Sequence, residues 1–157
     1  LAGERGCDPA QLGWYGSPRS RTRETVQRVR RAFAPDLPDV TYDPRLIEIS
    51  FGVLEGCVHS ELPPHVMMAP GERTPAFWTF RPDEGENYDD LVERITGFAH
   101  DLTGPSVIVA HGGVLRVLRH LIEGADQVEV INWFPPQDQV AHFLDGRMTL
   151  HAGSGAS

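Results

Sequence analysis

The segment that most constrains this fold is "SVIVAHGGVLRVL", Ser106 to Leu118. Its first half is an apolar run with no polar face. Such a strand has to be covered on both sides, as in a parallel sheet packed between helices. Its second half switches to helical spacing: Val114, Leu115, Val117, Leu118, Leu121 and Ile122 share one face, and Gly124 closes the helix. His111 sits at the junction, with Gly112 and Gly113 opening the helix. A strand over Ser106–Ala110 therefore delivers an imidazole to a helix start.

The remaining elements follow from the same rules. "LGWYGS" (Leu12 to Ser17) reads as a short strand, with Ser17 placed to cap the next helix and Pro18 suited to its first position. Thr22, Val26, Val29 and Phe33 form the apolar face of that helix, and "APDLPDV" ends it. "LIEISFGVLEG" (Leu46 to Gly56) is irregular, and its two glycines predict a loop whose backbone comes close to something. Glu61 to Arg81 is rich in proline, methionine and aromatics and predicts a partly helical excursion. Its Met67-Met68 pair and Phe77, Trp78 and Phe80 read as packing, with a lid over a site as the alternative. Asn87 caps the next helix, Asp89 and Asp90 lie in its first turn, and Tyr88, Leu91, Val92, Ile95, Phe98, Ala99 and Leu102 form its stripe. "QVAHFLDGRMTLH" predicts a hairpin turning at Asp145-Gly146. Strand–helix units that end in a hairpin predict a three-layer α/β fold: a mostly parallel sheet, helices on both faces, and an antiparallel edge from the C-terminal hairpin. One domain is expected over residues 1–152, with a flexible tail at 153–157.

Charge narrows the function. A net charge of -8 argues against nucleic acid or an anionic membrane as partner. No stretch approaches the roughly 20 apolar residues of a membrane span, and the opening residues lack the order of a signal peptide. Cys7 and Cys57 make no disulfide framework, so the expected compartment is the cytoplasm. All 14 basic residues are arginine, and six lie between Arg19 and Arg31, a field suited to a small anion.

In open α/β sheets ligands bind beyond the carboxyl ends of the strands. There lie Arg21, in the opening turn after the first strand, and His111, followed by the Gly112 amide. A guanidinium fork, an imidazole and helix-start amides describe a site for a phosphoryl-sized anion. Glu48, partly buried among Leu46, Ile47, Ile49 and Phe51, would need a raised pKa to serve as general acid. Read from its own neighbours alone, it is a loop carboxylate. Arg28, Arg30 and Arg31 read as a solvated helix face, while Arg19 and Arg23 fit either role. Glu55 reads as a loop or helix-start residue, and Glu86 as an acid behind the site or a group near the cap. Cys57-Val58-His59 has no second ligand pair, so no metal is expected.

Four motifs stand in register: "SPRSRTRET", "LIEISFGVLEG", "EGENYDDLVERI" and "VIVAHGGVLRVL". Together they resemble the histidine phosphatase superfamily, also called phosphoglycerate-mutase-like. The resemblance implies that Arg21 binds the phosphoryl group, Glu48 donates a proton, and His111 is the second catalytic histidine, beside the Gly112 amide. It implies transfer through a phosphohistidine, no metal or cofactor, and a small phosphorylated substrate or phosphate as partner. The long insertions of true mutases are absent, which favours a phosphatase over the alternative of a phosphoglycerate mutase. Asn87, Asp83-Glu84 and Val53-Leu54 depart from the usual serine, proline-glycine and tryptophan-containing positions.

The family's Arg-His-Gly motif, which carries the nucleophile, does not occur, and "LRHLIEG" lies inside a helical pattern. An inactive phosphate-binding module is therefore a further alternative. The resemblance implies that about 40 residues, two short elements and their loop, are missing ahead of Leu1. One of them is a strand expected between those leading to Arg21 and His111. The expectation is a shortened enzyme whose exposed sheet edges drive homo-oligomer formation.

Overall fold

The apolar run forms its strand as β3 (Ser106–Val109). The structure, a computed structural model, describes residues 8–33, 37–58, 61–64, 66 and 68–153. The Phe33 side chain, Cys7, His59, Met67 and residues 154–157, all named above, lie outside the described part. The described residues group into two compact units, one within residues 1–48 and 94–111, the other within 49–93 and 112–157.

In the first unit β1 (Gly13–Gly16) pairs in parallel with β2 (Thr41–Tyr42) on one side and β3 on the other. The order is β2-β1-β3. The register sets Gly13 opposite Ser106 and Gly16 opposite Val109. This direct pairing corrects the expectation of a further strand between them. The facing N–H and C=O groups are spent on each other, and strands so bonded lie about 4.8 Å apart, which leaves no room for a third. β3 is also less buried than its composition predicts, with all four residues half-buried. Among the described residues β1 is its only strand neighbour.

Helix α1 (Ser20–Phe33) lies against β1 and β3, with Thr22 and Val26 buried. It starts later than Pro18 would set. Thr22 Oγ1 lies within hydrogen-bond distance of the carbonyls of Ser17 (2.8 Å) and Arg19 (2.7 Å), which share its one proton, tying the chain before the helix to its first turn. From the helix start, Ser17 Oγ accepts a long 3.4 Å bond, from Arg19 N. Arg30 is not on a solvated face as expected. It donates to the carbonyls of Leu37 (3.0 Å) and Pro38, so its donor fork satisfies backbone acceptors after the helix.

The second unit contains α2 (Pro75–Thr79), the start of α3 (Tyr88–His100), α4 (Gly112–Glu123) and α5 (Gln127–Asn132). Its hairpin is β4 (Gln139–Leu144) with β5 (Arg147–Ala152). Asn87 caps α3 reciprocally with Asp90: Asn87 Oδ1 accepts from Asp90 N (2.9 Å) and Asp90 Oδ2 accepts from Asn87 N (3.0 Å). The aromatics of the excursion are packing. Trp78 is buried and stacks on Tyr88 with ring centres 4.9 Å apart, and its Nε1 donates to Asp89 Oδ1 at 2.7 Å. Burial of a ring this size needs that partner for its N–H.

Helix α5 was not foreseen. Asp126 caps it, accepting from Val128 N (2.8 Å) and Glu129 N (3.3 Å), and buries Val130 and Ile131. In α4 the expected stripe holds at Val114, Val117 and Leu118, while Leu121 and Ile122 are exposed. The hairpin turns at Asp145 (φ 50°) and Gly146 (φ 75°), the paired positive φ of a type I′ turn. Among the described residues it pairs only with itself, so it forms a separate sheet and not an edge of the parallel one. None of the described helices is long and apolar enough to cross a membrane.

The expected close backbone approach occurs at Gly52, and the partner is the chain's own turn at 82–86. Val53 N donates to Asp83 O (3.0 Å) and Glu86 N to Ser50 O (2.9 Å). Gly52 has φ 51°, and a Cβ there would lie 2.0 Å from Asp83 O. Glu84, with φ 58°, takes a left-handed conformation, a region that favours glycine. We expect Gly52→Ala to lose about 3 kcal/mol or more, since strain and a backbone clash add. Urea unfolding measures it, and a loss below about 1 kcal/mol would contradict this packing.

Candidate active site

Parallel pairing brings the carboxyl ends of β1 and β3 to the same edge. Ser17 N donates to Val109 O (2.9 Å), carrying the ladder one step past β1. Ser17 and His111 then stand side by side, both buried. His111 Nε2 lies 2.8 Å from Ser17 Oγ. On its other side, Nδ1 of His111 lies 3.1 Å from Arg21 Nε and 3.0 Å from Arg21 Nη2. Arg21 reaches it from the first turn of α1.

These contacts determine the tautomer. A guanidinium has only donors, so Nδ1 must accept and carries no proton. The proton of the neutral ring is on Nε2 and is donated to Ser17 Oγ. Burial is the largest influence on His111 and pushes its pKa below the ordinary 6.5. Glu48 works in the other direction, while the charges of Arg21, Arg19 and Arg94 add to the lowering. The free site is thus a neutral imidazole in a field of three guanidiniums and one carboxylate.

Glu48 is half-buried and close enough to act on His111 electrostatically. The segment ahead of it is held firmly. Arg45 Nη2 meets Asp43 Oδ2 and its Nη1 meets Asp101 Oδ2, both at 2.7 Å. Arg94 donates to the Arg45 carbonyl, and Leu46 is fully buried. Gly112 is the first residue of α4, in the turn whose amides have no intrahelical partner. The structure thus brings Arg21, His111 and the charge of Glu48 together.

Two contributors escaped the sequence reading. Ser17 read as a helix cap, because the same hydroxyl suits either task. Arg94 sits between the stripe residues Leu91 and Ile95, a spacing that marks a half-buried position but not what lies beyond it. The other candidates have structural partners. Arg23 Nε donates to Pro18 O (2.9 Å), with its guanidinium 3.8 Å from the centre of the Tyr42 ring. Arg28 pairs with Glu24 in solvent. Glu55 accepts from Ser50 Oγ (3.0 Å) and Phe51 N (3.2 Å), and Glu86 accepts from Ser50 N (3.0 Å), so both brace the loop after Glu48. The cap of α3 is the reciprocal Asn87–Asp90 pair. Among the described residues, no three His, Cys, Asp or Glu side chains gather as metal ligands would.

Comparison with known proteins agrees with this geometry. The profile of the histidine phosphatase superfamily (branch 1) matches residues 4–142. Among solved structures, TTHB049 from Thermus thermophilus is 26% identical, with a TM-score of 0.66 over 92% of this chain and 75% of that one. Bacillus stearothermophilus YhfR is 25% identical, with a TM-score of 0.63 over 99% of this chain and 79% of that one. A phosphoglycerate mutase from Thermus thermophilus is 31% identical, with a TM-score of 0.55 over 74% of this chain and 61% of that one. No curated protein matches significantly. The fold, the four motifs and the profile agree, and the chain belongs to the histidine phosphatase superfamily, which includes phosphatases and mutases.

Proposed function

We propose that this chain carries the phosphoryl-binding and proton-donating groups of a phosphatase that hydrolyses a small phosphorylated metabolite through a phosphohistidine. The observation that carries the reading is the convergence of Arg21 Nε and Nη2 on His111 Nδ1, at 3.1 and 3.0 Å. A phosphoryl oxygen arriving between them receives donors from the guanidinium. His111, once protonated at Nδ1, donates to a second oxygen. Both interactions strengthen as negative charge develops during transfer.

The reaction balances as follows. An imidazole nitrogen bonds to phosphorus as the ester oxygen leaves, and Glu48 gives that oxygen its proton. Water then attacks phosphorus, the P–N bond breaks with its electron pair returning to the imidazole, Glu48 takes the water's proton, and inorganic phosphate leaves. Guanidiniums and imidazole supply the positive charge for both steps. In the family the attacking imidazole lies in an Arg-His-Gly motif, which residues 1–157 do not contain. That observation favours a second reading, in which the 157-residue chain binds phosphate without turning it over.

A phosphomonoester assay on this chain and on a form extended upstream separates the two. Turnover with a labelled histidine in the extended form supports the phosphatase. Interconversion of 3-phosphoglycerate would instead make it a mutase. An extended form that neither turns over nor becomes phosphorylated sinks the catalytic reading. In any active form, Arg21→Met or His111→Ala should lower kcat at least about a hundredfold, and a near-normal rate would mean the site lies elsewhere.

Protonation gives a further test. His111 titrates below the ordinary 6.5 in the free protein, because burial and the neighbouring guanidiniums disfavour its charge. Protonation therefore favours the unfolded chain. The stability this group contributes is intact above about 6.5 and falls as the pH drops from there to the folded-state pKa. A bound phosphate dianion reverses the charge balance and should raise the midpoint. NMR titration of His111 with and without phosphate measures both. A free-protein midpoint at or above 6.5, or no rise with phosphate, would contradict the site described.

A further inference from the structure

In the second unit Arg73 and Arg116 converge on the carboxyl end of α5. Arg73 Nη1 donates to the Ile131 carbonyl at 2.9 Å, and Arg116 Nε donates to the Trp133 carbonyl at 3.0 Å. Arg73 Nε reaches Met68 O at 3.4 Å, and its guanidinium lies 4.3 Å from the centre of the Phe77 ring. Its backbone is pinned by Asn132, whose Oδ1 accepts from Gly71 N and Arg73 N and whose Nδ2 donates to Arg73 O, each at 2.8 Å. Both arginines are half-buried.

Among the described residues neither guanidinium has a carboxylate partner. Arg119, one turn further along α4, does: Glu123 at 2.9 Å, and Glu129. The nearby acids are thus committed to Arg119. Burial, and then the charge of Arg116, hold Arg73 below the ordinary arginine range, with Tyr88 acting in the other direction. Two like charges are therefore partly desolvated at close quarters. Their compensation is the Ile131, Trp133 and Met68 carbonyls and the Phe77 ring, all partial charges. Arg73 Nη2 and both terminal nitrogens of Arg116 make no hydrogen bond to the described residues, so donors remain for a ligand.

We propose that Arg73 and Arg116 form an anion site that takes one phosphate or carboxylate group. The inference does not depend on the phosphatase reading, since it shares no residue with Arg21, Glu48 and His111. Calorimetric titration with inorganic phosphate tests it in the double variant Arg21→Met/His111→Ala, which disables the first site. That protein should still bind one phosphate, and adding Arg116→Met should weaken binding at least about tenfold. Arg73→Lys, which keeps the charge and removes the fork, should also weaken it and guards against a misfolded Arg116 variant. No phosphate binding in the double variant, or unchanged affinity in both further variants, overturns the proposal. In an active form, a KM rise for 3-phosphoglycerate but not for p-nitrophenyl phosphate in Arg116→Met would identify the anion as a substrate's own carboxylate. Unchanged KM values with lost phosphate binding would identify a free anion.

Discussion

The four-residue ladder between β1 and β3 is the constraint on which the site depends. Ser17 and His111 are 94 positions apart in the chain, and only parallel pairing in this register puts them at the same edge. A one-residue slip would turn each side chain to the opposite face of the sheet. The ladder is short, so its register needs outside support. Trp14 supplies some, being buried within β1, and Tyr15 supplies more by meeting the Phe98 ring edge-on at 5.4 Å. The bond from Ser17 N to Val109 O then extends the ladder into the site itself. The hydroxyl that orients His111 therefore hangs from a backbone position the sheet has already specified.

That arrangement gives the imidazole an unusual pair of neighbours. A cation donating to a histidine is tolerable only while the ring is neutral and its lone pair faces the donor. Ser17 on the far side favours this state by accepting the remaining proton. Loss of that hydroxyl would leave a buried Nε2–H without its partner, a change of about 1–3 kcal/mol. On the Arg21 side the free site thus sets guanidinium donors against one weak acceptor, Nδ1. An anion entering there replaces an awkward contact with charge-assisted ones on both sides. On the proposed reading, anion binding and protonation of His111 are coupled for this reason.

Local rules made much of the fold legible. The stripe from Tyr88 to Phe98, the Asn87 cap and the Asp145-Gly146 turn each depend on residues close in sequence, and each has the expected form. Strand order is a different kind of fact. Nothing within "LGWYGS" or "SVIVA" says which strand lies beside which, so the expected intervening strand was wrong. Helix α5 failed for another reason: six residues are too few to display a period, and only the Asp126 cap marks it. Ser17 and Arg30 failed because one side chain suits two tasks. A hydroxyl caps a helix or holds an imidazole, and a guanidinium meets water or backbone carbonyls. Arg21 and His111 were legible because each follows the carboxyl end of a strand, Arg21 in the first turn of α1 and His111 two residues after β3.

The exclusive use of arginine fits this division of labour. At Arg30, Arg45, Arg73 and Arg94 the guanidinium satisfies backbone carbonyls or carboxylates under partial burial, where a planar fork makes several directed bonds at once. An ammonium buried in the same way would lose its proton more readily. At the site the consequence is chemical. Arg19, Arg21 and Arg94 place three guanidiniums around His111, and each disfavours a charge on the ring. Of this set only His111 changes charge near neutrality, and it does so against a constant background. Under the proposed function, the pH dependence of binding here follows the imidazole that burial has tuned and, for a phosphomonoester, the ligand's own second ionisation, near 6.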